Sequence, residues 1–379
     1  MHPALQAPAR PYRHQEAPMA LVVIRHAPVP APDPLAPALD AGGASGPEIR
    51  RCDPWSGDPL PAGLKDIEGL VLTGDTPEAL PLLREALAAE VPVLALGGGA
   101  DLLARAAGGS TPPAPRAPEA ADPLLGGGDD RDDRDGRDGR DGRPVPAPAF
   151  RVGGSAWGLT TPPEGDGAGG LLGRFAALVA GRAEHTATRA FFTPRADAWE
   201  ERFAYQTPAY EAAVSRMGLT EGGTAVDLGC GSGRALPALR RLVGASGTVL
   251  GVDLTPAMLT AAAREGRTGP GRLLLVADCA RLPLAAGTVH GIFAAGLLDH
   301  LPKPRTALAE WARVCAPGGE LLLFHPSGRA ERAARHGRPL SPDDPLAEPS
   351  LRPALEATGW HLAEYEDAPD HFLARARRP

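Results

Sequence analysis

The chain has 379 residues, 43% of them hydrophobic and 22% charged, with a formal net charge of −7. That length suits two or three domains, and the negative balance provides no basic field for binding nucleic acid. Cys52, Cys230, Cys279 and Cys315 form no CxxC spacing and do not cluster with the ten histidines, so neither a disulfide framework nor a metal site is expected, and a reducing cytoplasm fits.

No apolar run reaches the roughly 18 residues a membrane span needs, so no membrane partner is expected. Residues 1–18, MHPALQAPARPYRHQEAP, lack the apolar centre of a signal peptide and read as a disordered tail, with Met19 as an alternative start. Strands are expected at 20–25, 69–72 and 92–96, and helices at 77–90 and 100–107. This alternation indicates a parallel α/β sheet.

The stretch VPVLALGGGADLLARAAGG contains the last of these strands, a turn at Gly97-Gly98-Gly99, and the helix that follows. Such turns hold a phosphate on backbone N–H groups or a nucleophile on a tight elbow. Residues 110–148 break the texture. The fifteen residues DDRDDRDGRDGRDGR (129–143) contain seven Asp and five Arg and nothing apolar, which reads as a solvated, disordered insertion. Its DxDG-like pieces lack the glutamate spacing of a calcium loop. Order returns with AFRVGGSAWGLTT and the helix GLLGRFAALVAG, up to residue 182. Strands then follow at 224–228, 248–253, 272–277, 289–295, 320–325, 360–365 and 371–375.

The strongest chemical signal is TAVDLGCGSGRALPALRRL. A short apolar strand ends in Asp227-Leu228, and Gly229, Cys230, Gly231, Ser232 and Gly233 lead into a helix. Glycines let a ligand approach the backbone, and the helix start offers unpaired N–H donors. A dinucleotide fingerprint would need glycine at 234. The chain has Arg234 there, and the GxGxG pattern favours a nucleoside ligand without pyrophosphate. Asp253 ends the next strand, 24 residues beyond Gly229, where a carboxylate can accept both ribose hydroxyls. Asp278 and Cys279 end the third strand, placed for an adenine edge.

Taken with GVDLTPAML, VADCARLPLAAGTVHGIFAAGLLDHL, ALAEWARV and APGGELLLFHP, these residues resemble a class I S-adenosylmethionine-dependent methyltransferase over about residues 188–379. The resemblance is greatest to enzymes that methylate small molecules. It implies a Rossmann-like seven-stranded sheet with its last strand antiparallel, S-adenosylmethionine as cofactor and a small-molecule acceptor. It also implies a cofactor set of Asp227, Gly229, Cys230, Gly231, Gly233, Asp253, Leu254, Met258, Asp278, Cys279 and Gly296, with Asp227 near the methionine ammonium group. A Rossmann-like domain that has lost its ligand, or a non-catalytic S-adenosylmethionine-binding regulator, would share much of the pattern.

Methyl transfer from a sulfonium needs a base only if the acceptor must lose a proton. His300, in LLDHLP, and His325, in LFHPSGR, are the candidates, each equally readable as a histidine satisfied by loop contacts. Six of the seventeen aromatic residues fall within 191–210: Phe191, Phe192, Trp199, Phe203, Tyr205 and Tyr210. They suit either a lid over cofactor and acceptor or a helical arm packed on the core.

The N-terminal order LVVIRHAP, CDPWSGDPLP, GLVLTG, PVLALGGGADLLARAAGG resembles a class I glutamine amidotransferase domain. In that family the glycine-framed turn carries a cysteine nucleophile, and a later pattern carries histidine and glutamate. Here Gly97 stands at the cysteine position, Asp101 at that of a glutamine, Pro162 at that of the histidine, and Glu164 at that of the glutamate. The resemblance therefore implies an inactive scaffold or regulator, open to a protein partner. A flavodoxin-like module or an anion-binding turn are the other readings. The expected organisation is a tail at 1–18, an amidotransferase-like domain at 19–182 with its insertion at 110–148, and a methyltransferase domain at 183–379, giving two three-layer α/β domains.

Overall fold

The computed structural model describes residues 20–27, 48–109, 124, 149–161, 166–335, 337, 339–341 and 344–379. The tail at 1–18, Met19, nearly all of the 110–148 insertion, Pro162 and Glu164 lie outside the described residues. Two compact units meet in sequence between Thr186 and Ala187.

The first unit holds six strands: β1 (Ala20–Arg25), β2 (Glu48–Cys52), β3 (Ile67–Thr73), β4 (Val93–Leu96), β5 (Ala149–Val152) and β6 (Ala156–Leu159). Their order is β2-β1-β3-β4-β6-β5, parallel except for the antiparallel β5–β6 pair. Strands β1, β3, β4 and β6 are buried on both faces because both are covered. Ala20, Val22 and Ile24 of β1 join one cluster with Leu83 of α1 (Leu80–Ala88) and Leu102 and Leu103 of α2 (Gly98–Ala106). Leu21 and Val23 point the other way, onto Leu171, Phe175 and Val179 of α3 (Asp166–Phe192).

Four local features differ from the sequence expectation. The edge strand β2, EIRRC, carries no apolar alternation because most of it is not buried. The helix expected at 77–90 opens as a 3-10 turn at Pro77–Ala79 and ends at Ala88. The helix expected at 170–181 runs to Phe192, since GRAEHTATRAFF has no breaker before Pro194. Leu124, within the stretch expected to be a solvated insertion, is fully buried, and its carbonyl accepts Arg174 Nε–H at 2.9 Å.

The second unit holds β7 (Thr224–Leu228), β8 (Thr248–Asp253), β9 (Arg272–Val276), β10 (Val289–Ala295), β11 (Cys315–His325), β12 (His361–Ala368) and β13 (His371–Arg377). They form one mixed sheet in the order β12-β13-β11-β10-β7-β8-β9, with β13, the last strand, antiparallel to both β11 and β12. From β7 the chain proceeds outward through β8 to β9, then returns to place β10 on the other side of β7. That reversal opens a crevice at the carboxyl ends of β7 and β10, where open α/β sheets bind ligands. Strand β11 starts five residues before the expected Glu320, through an irregular register against β10.

Two layers flank this sheet. Val226, Leu228, Ile292, Leu321 and Leu323 face α8 (Pro304–Val314) and α10 (Glu348–Glu356), while Ala225, Val249, Phe293, Leu322 and Phe324 face α5 (Thr207–Val214) and α6 (Leu236–Val243). Pro237 sits in the first turn of α6, where a missing N–H costs nothing. Trp311 of α8 is fully buried, and its indole N–H donates to the carbonyl of Cys279 at 2.9 Å, fixing the loop after β9. Trp311→Ala is expected to lower stability by about 3–5 kcal/mol through lost packing, whereas Trp311→Phe, which mainly orphans that carbonyl, is expected to lose about 1–3 kcal/mol. Urea denaturation followed by circular dichroism measures both, and equal stability of the Ala variant would contradict the assigned packing.

Candidate functional site

Strand β7 delivers Asp227 to the mouth of the crevice, and the loop that follows turns sharply. Gly229, Gly231 and Gly233 have φ of 64°, 54° and 76°, a region glycine enters freely. Two of them are also closely approached. A Cβ on Gly229 would lie 3.0 Å from Leu297 Cδ1, and one on Gly233 would lie 2.8 Å from Leu236 Cδ1. Gly231 is different: a Cβ there would meet only Trp199 Nε1, at 3.9 Å. The loop backbone is thus bare at its centre, as a surface against which a ligand lies must be.

Asp253, at the end of β8, ties this loop down. One carboxylate oxygen accepts the N–H of Gly231 at 2.9 Å and the other accepts the N–H of Thr255 at 2.8 Å. Asp227 is 3% exposed. Burial, then the charge of Asp253, raise its pKa well above the usual carboxylate range, with Arg234 opposing. Burial also raises Asp253, against its two backbone hydrogen bonds. Two neighbouring carboxylates that resist ionisation are relieved by an incoming cation. S-adenosylmethionine carries a sulfonium and an ammonium, so this pair and the open face of Gly231 fit it.

The remaining expected cofactor residues spread along the same sheet edge. Cys230 is buried with Sγ 3.0 Å from where a Cβ of Gly251 would lie, so its side chain faces the interior and only its backbone serves the loop. The Leu254 carbonyl accepts Arg189 Nε–H at 3.0 Å, and Met258 is buried in α7 (Pro256–Arg264). Asp278 Oδ1 accepts the N–H of Ala280 at 2.8 Å, which shapes the turn after β9. Burial, then Asp278, push the Cys279 thiol up to about 12, so it carries no thiolate chemistry.

On the other side of β7, Gly296 opens the loop after β10, and its Cβ would lie 3.4 Å from His325 Cδ2. His325 ends β11, and its Nδ1 lies 3.0 Å from the Ser327 carbonyl. A carbonyl only accepts, so Nδ1 carries the proton and Nε2 the lone pair. Burial, then Arg332, depress the pKa of this ring to about 3. It is a neutral hydrogen-bond acceptor and a weak base. Beside it, Asp299 Oδ2 accepts Arg332 Nη1–H at 2.6 Å, from α9 (Arg329–Arg335). Burial opposes ionisation of Asp299, but the charges of His300 and then Arg332 outweigh it and hold its pKa below the usual value. His300 ends a 3-10 turn and is exposed.

The aromatic stretch divides. Phe191, Phe192, Trp199 and Phe203 form a chain of contacts with ring centroids 5.1, 5.5 and 4.8 Å apart, and Trp199 lies against Gly231. Tyr210 packs on Phe293 and Phe324 instead, and Tyr205 is exposed. One residue has no sequence signal: Glu200 of α4 (Trp199–Phe203). Its Oε2 accepts Ser232 Oγ–H at 2.7 Å and Arg234 Nη2–H at 3.2 Å, and its Oε1 accepts Arg267 Nη2–H at 3.3 Å. It fastens α4 to the glycine loop.

Parts of the chain are similar to known proteins. Residues 226–323 match the family model described as a methyltransferase domain. An uncharacterized 37.1 kDa protein in transposon TN4556 of Streptomyces fradiae is 37% identical over 28% of this chain and 30% of its own length. A 2-phytyl-1,4-naphtoquinone methyltransferase of Thermosynechococcus vestitus is 35% identical over 32% of this chain and 55% of its own. A ubiquinone/menaquinone biosynthesis C-methyltransferase of Syntrophotalea carbinolica is 35% identical over 30% and 48%. The chain thus spans less than two thirds of the length of the curated relatives it matches. A solved S-adenosylmethionine-dependent methyltransferase of Aquifex aeolicus is similar at a TM-score of 0.39 and 26% identity, over 45% of this chain and 89% of that one.

Among the described residues no group of three or more His, Cys, Asp and Glu is arranged to hold a metal ion, and no helix is long and apolar enough to cross a membrane. Nuclear magnetic resonance of the His325 ring is expected to show no titration between pH 5 and 8, since its pKa is depressed to about 3. A midpoint near 6.5 would contradict the assigned burial and tautomer.

Proposed function

We propose that the C-terminal half, a class I S-adenosylmethionine-dependent methyltransferase domain, transfers a methyl group to a small-molecule acceptor. The observation that carries this reading is the Asp227–Asp253 pair beside the bare backbone of Gly231. When bound, the cofactor supplies a methyl group that passes to an acceptor lone pair while its sulfonium becomes a neutral thioether.

Asp253 holds the ribose hydroxyls with lone pairs its two backbone donors leave free, and Asp227 faces the ammonium end. Asp278 serves the adenine edge, and Leu254, Met258, Cys279 and Gly296 complete the surround. Orientation supplies most of the acceleration. His325 presents its Nε2 lone pair to an acceptor, steering a hydroxyl or N–H toward the methyl position, and its low basicity suits this better than storing a proton. His300, exposed at the end of its turn, can pass a released proton to solvent.

The N-terminal unit we read as an inactive amidotransferase-like scaffold or regulatory module, open to a protein partner. What supports this is Gly97, at the turn between β4 and α2 with φ 57° and ψ −129°, a tight elbow without a side chain in a conformation that glycine takes freely. Without a thiol no thioester forms. The full chain is expected to release no ammonia from glutamine, and measured release would end this reading.

The main experiment incubates the full chain with methyl-labelled S-adenosylmethionine and a low-molecular-mass cell extract. Label is expected in a small molecule. Asp253→Ala is expected to weaken cofactor binding by roughly 1.5–3 kcal/mol in calorimetry, the size of hydrogen bonds to a charged group. Cofactor binding without transfer to any extract would assign the chain instead to a non-catalytic S-adenosylmethionine-binding regulator. Unchanged affinity in Asp253→Ala would remove Asp253 from the ribose site.

A further inference from the structure

The expected cofactor side chains are rich in acids, with Asp227, Asp253 and Asp278 supplying every charge. S-adenosylmethionine is not only a cation: its amino-acid end also carries a carboxylate. That group needs a donor, and it sits on the same carbon as the ammonium, so the donor must lie beside Asp227.

Arg234 meets this requirement. It follows Gly233 directly, and its side chain is 5% exposed. Nη1 donates to Gln206 Oε1 at 3.4 Å and Nη2 to Glu200 Oε2 at 3.2 Å, and the guanidinium lies 5.2 Å from the centre of the Tyr210 ring. Its Nε–H is buried and has no acceptor among the described residues. A buried donor left unpaired is costly, and a guanidinium fork suits a carboxylate. Arg234 lies over Tyr210, which packs on Phe293, the β10 residue paired with Asp227 in the sheet, and its charge opposes the rise in the Asp227 pKa.

Arg267 repeats the pattern. Its Nη2 donates to the other oxygen of Glu200, its Nε–H is likewise buried without an acceptor, and its Cβ packs 3.1 Å from where a Cβ of Gly233 would lie. Two guanidinium groups therefore share one carboxylate.

We propose that Arg234, supported by Arg267, receives the carboxylate of the cofactor's amino-acid end through its free Nε–H, opposite Asp227 at the ammonium. Arg234 is then a binding residue within the glycine-loop motif itself, and Glu200 holds it in place while keeping α4 closed over the loop. This rests on the cofactor reading above.

The test compares two ligands on the full chain by calorimetry: S-adenosylhomocysteine, and S-adenosyl-3-thiopropylamine, which lacks only the carboxylate. The unmodified chain is expected to prefer the first by roughly tenfold or more. In Arg234→Gln the preference is expected to collapse to within about threefold, with affinity for the decarboxylated ligand little changed. Arg234→Lys keeps the buried charge beside Glu200 but lacks the fork; it is expected to lose most of the preference and serves if the Gln variant does not fold. Full preference retained in a folded variant, or equal loss for both ligands, would overturn the proposal. Failure of the unmodified chain to bind either ligand would instead overturn the cofactor reading.

Discussion

Asp253 at the end of β8 is the constraint around which the C-terminal site is arranged. Its carboxylate accepts one N–H from the glycine loop and one from the start of α7, so the ends of two neighbouring strands are locked through one side chain. Beside it stands Asp227, which burial and that neighbour hold well above the normal carboxylate range. The strand order reverses between β7 and β10, which sets the crevice at the ends of the strands that carry both carboxylates. A cation entering the crevice favours the charged forms of both carboxylates, so the electrostatic cost of the empty crevice favours ligand binding.

The opposite wall is arranged differently. At the ends of β10 and β11, Asp299, Arg332 and His325 form a mixed polar group, with Asp299 ionised and His325 neutral. Asp299 Oδ1 and Arg332 Nε are buried without a partner among the described residues. An acceptor bearing a group that both donates and accepts suits this wall. The crevice thus has a face of paired carboxylates that suits a cation and a face of mixed polarity, where the proposed function would seat the molecule to be methylated.

Much of this was legible from the chain. The run TAVDLGCGSG could be placed because an apolar strand, its terminal carboxylate and a glycine loop are local features, and β8 ends in Asp253 by the same logic, whereas β9 stops at Val276, two residues before Asp278. Strand β2 was not legible, because EIRRC pairs at an exposed edge and needs no apolar alternation. Glu200 was invisible for another reason. Nothing in WEERF marks a site, and its partners Ser232, Arg234 and Arg267 lie 32, 34 and 67 residues away. The aromatic stretch was ambiguous in sequence because it contains both behaviours: Trp199 lies on the loop while Tyr210 packs in the core.

A crystal structure of the full chain with S-adenosylhomocysteine tests the central claim most directly. The expected result is a ligand across the carboxyl ends of β7, β8 and β9, backed against Gly231, with its ribose on Asp253 and its amino-acid end beside Asp227. Density for the ligand elsewhere, or an Asp253 carboxylate that makes no contact with the ribose, would contradict it.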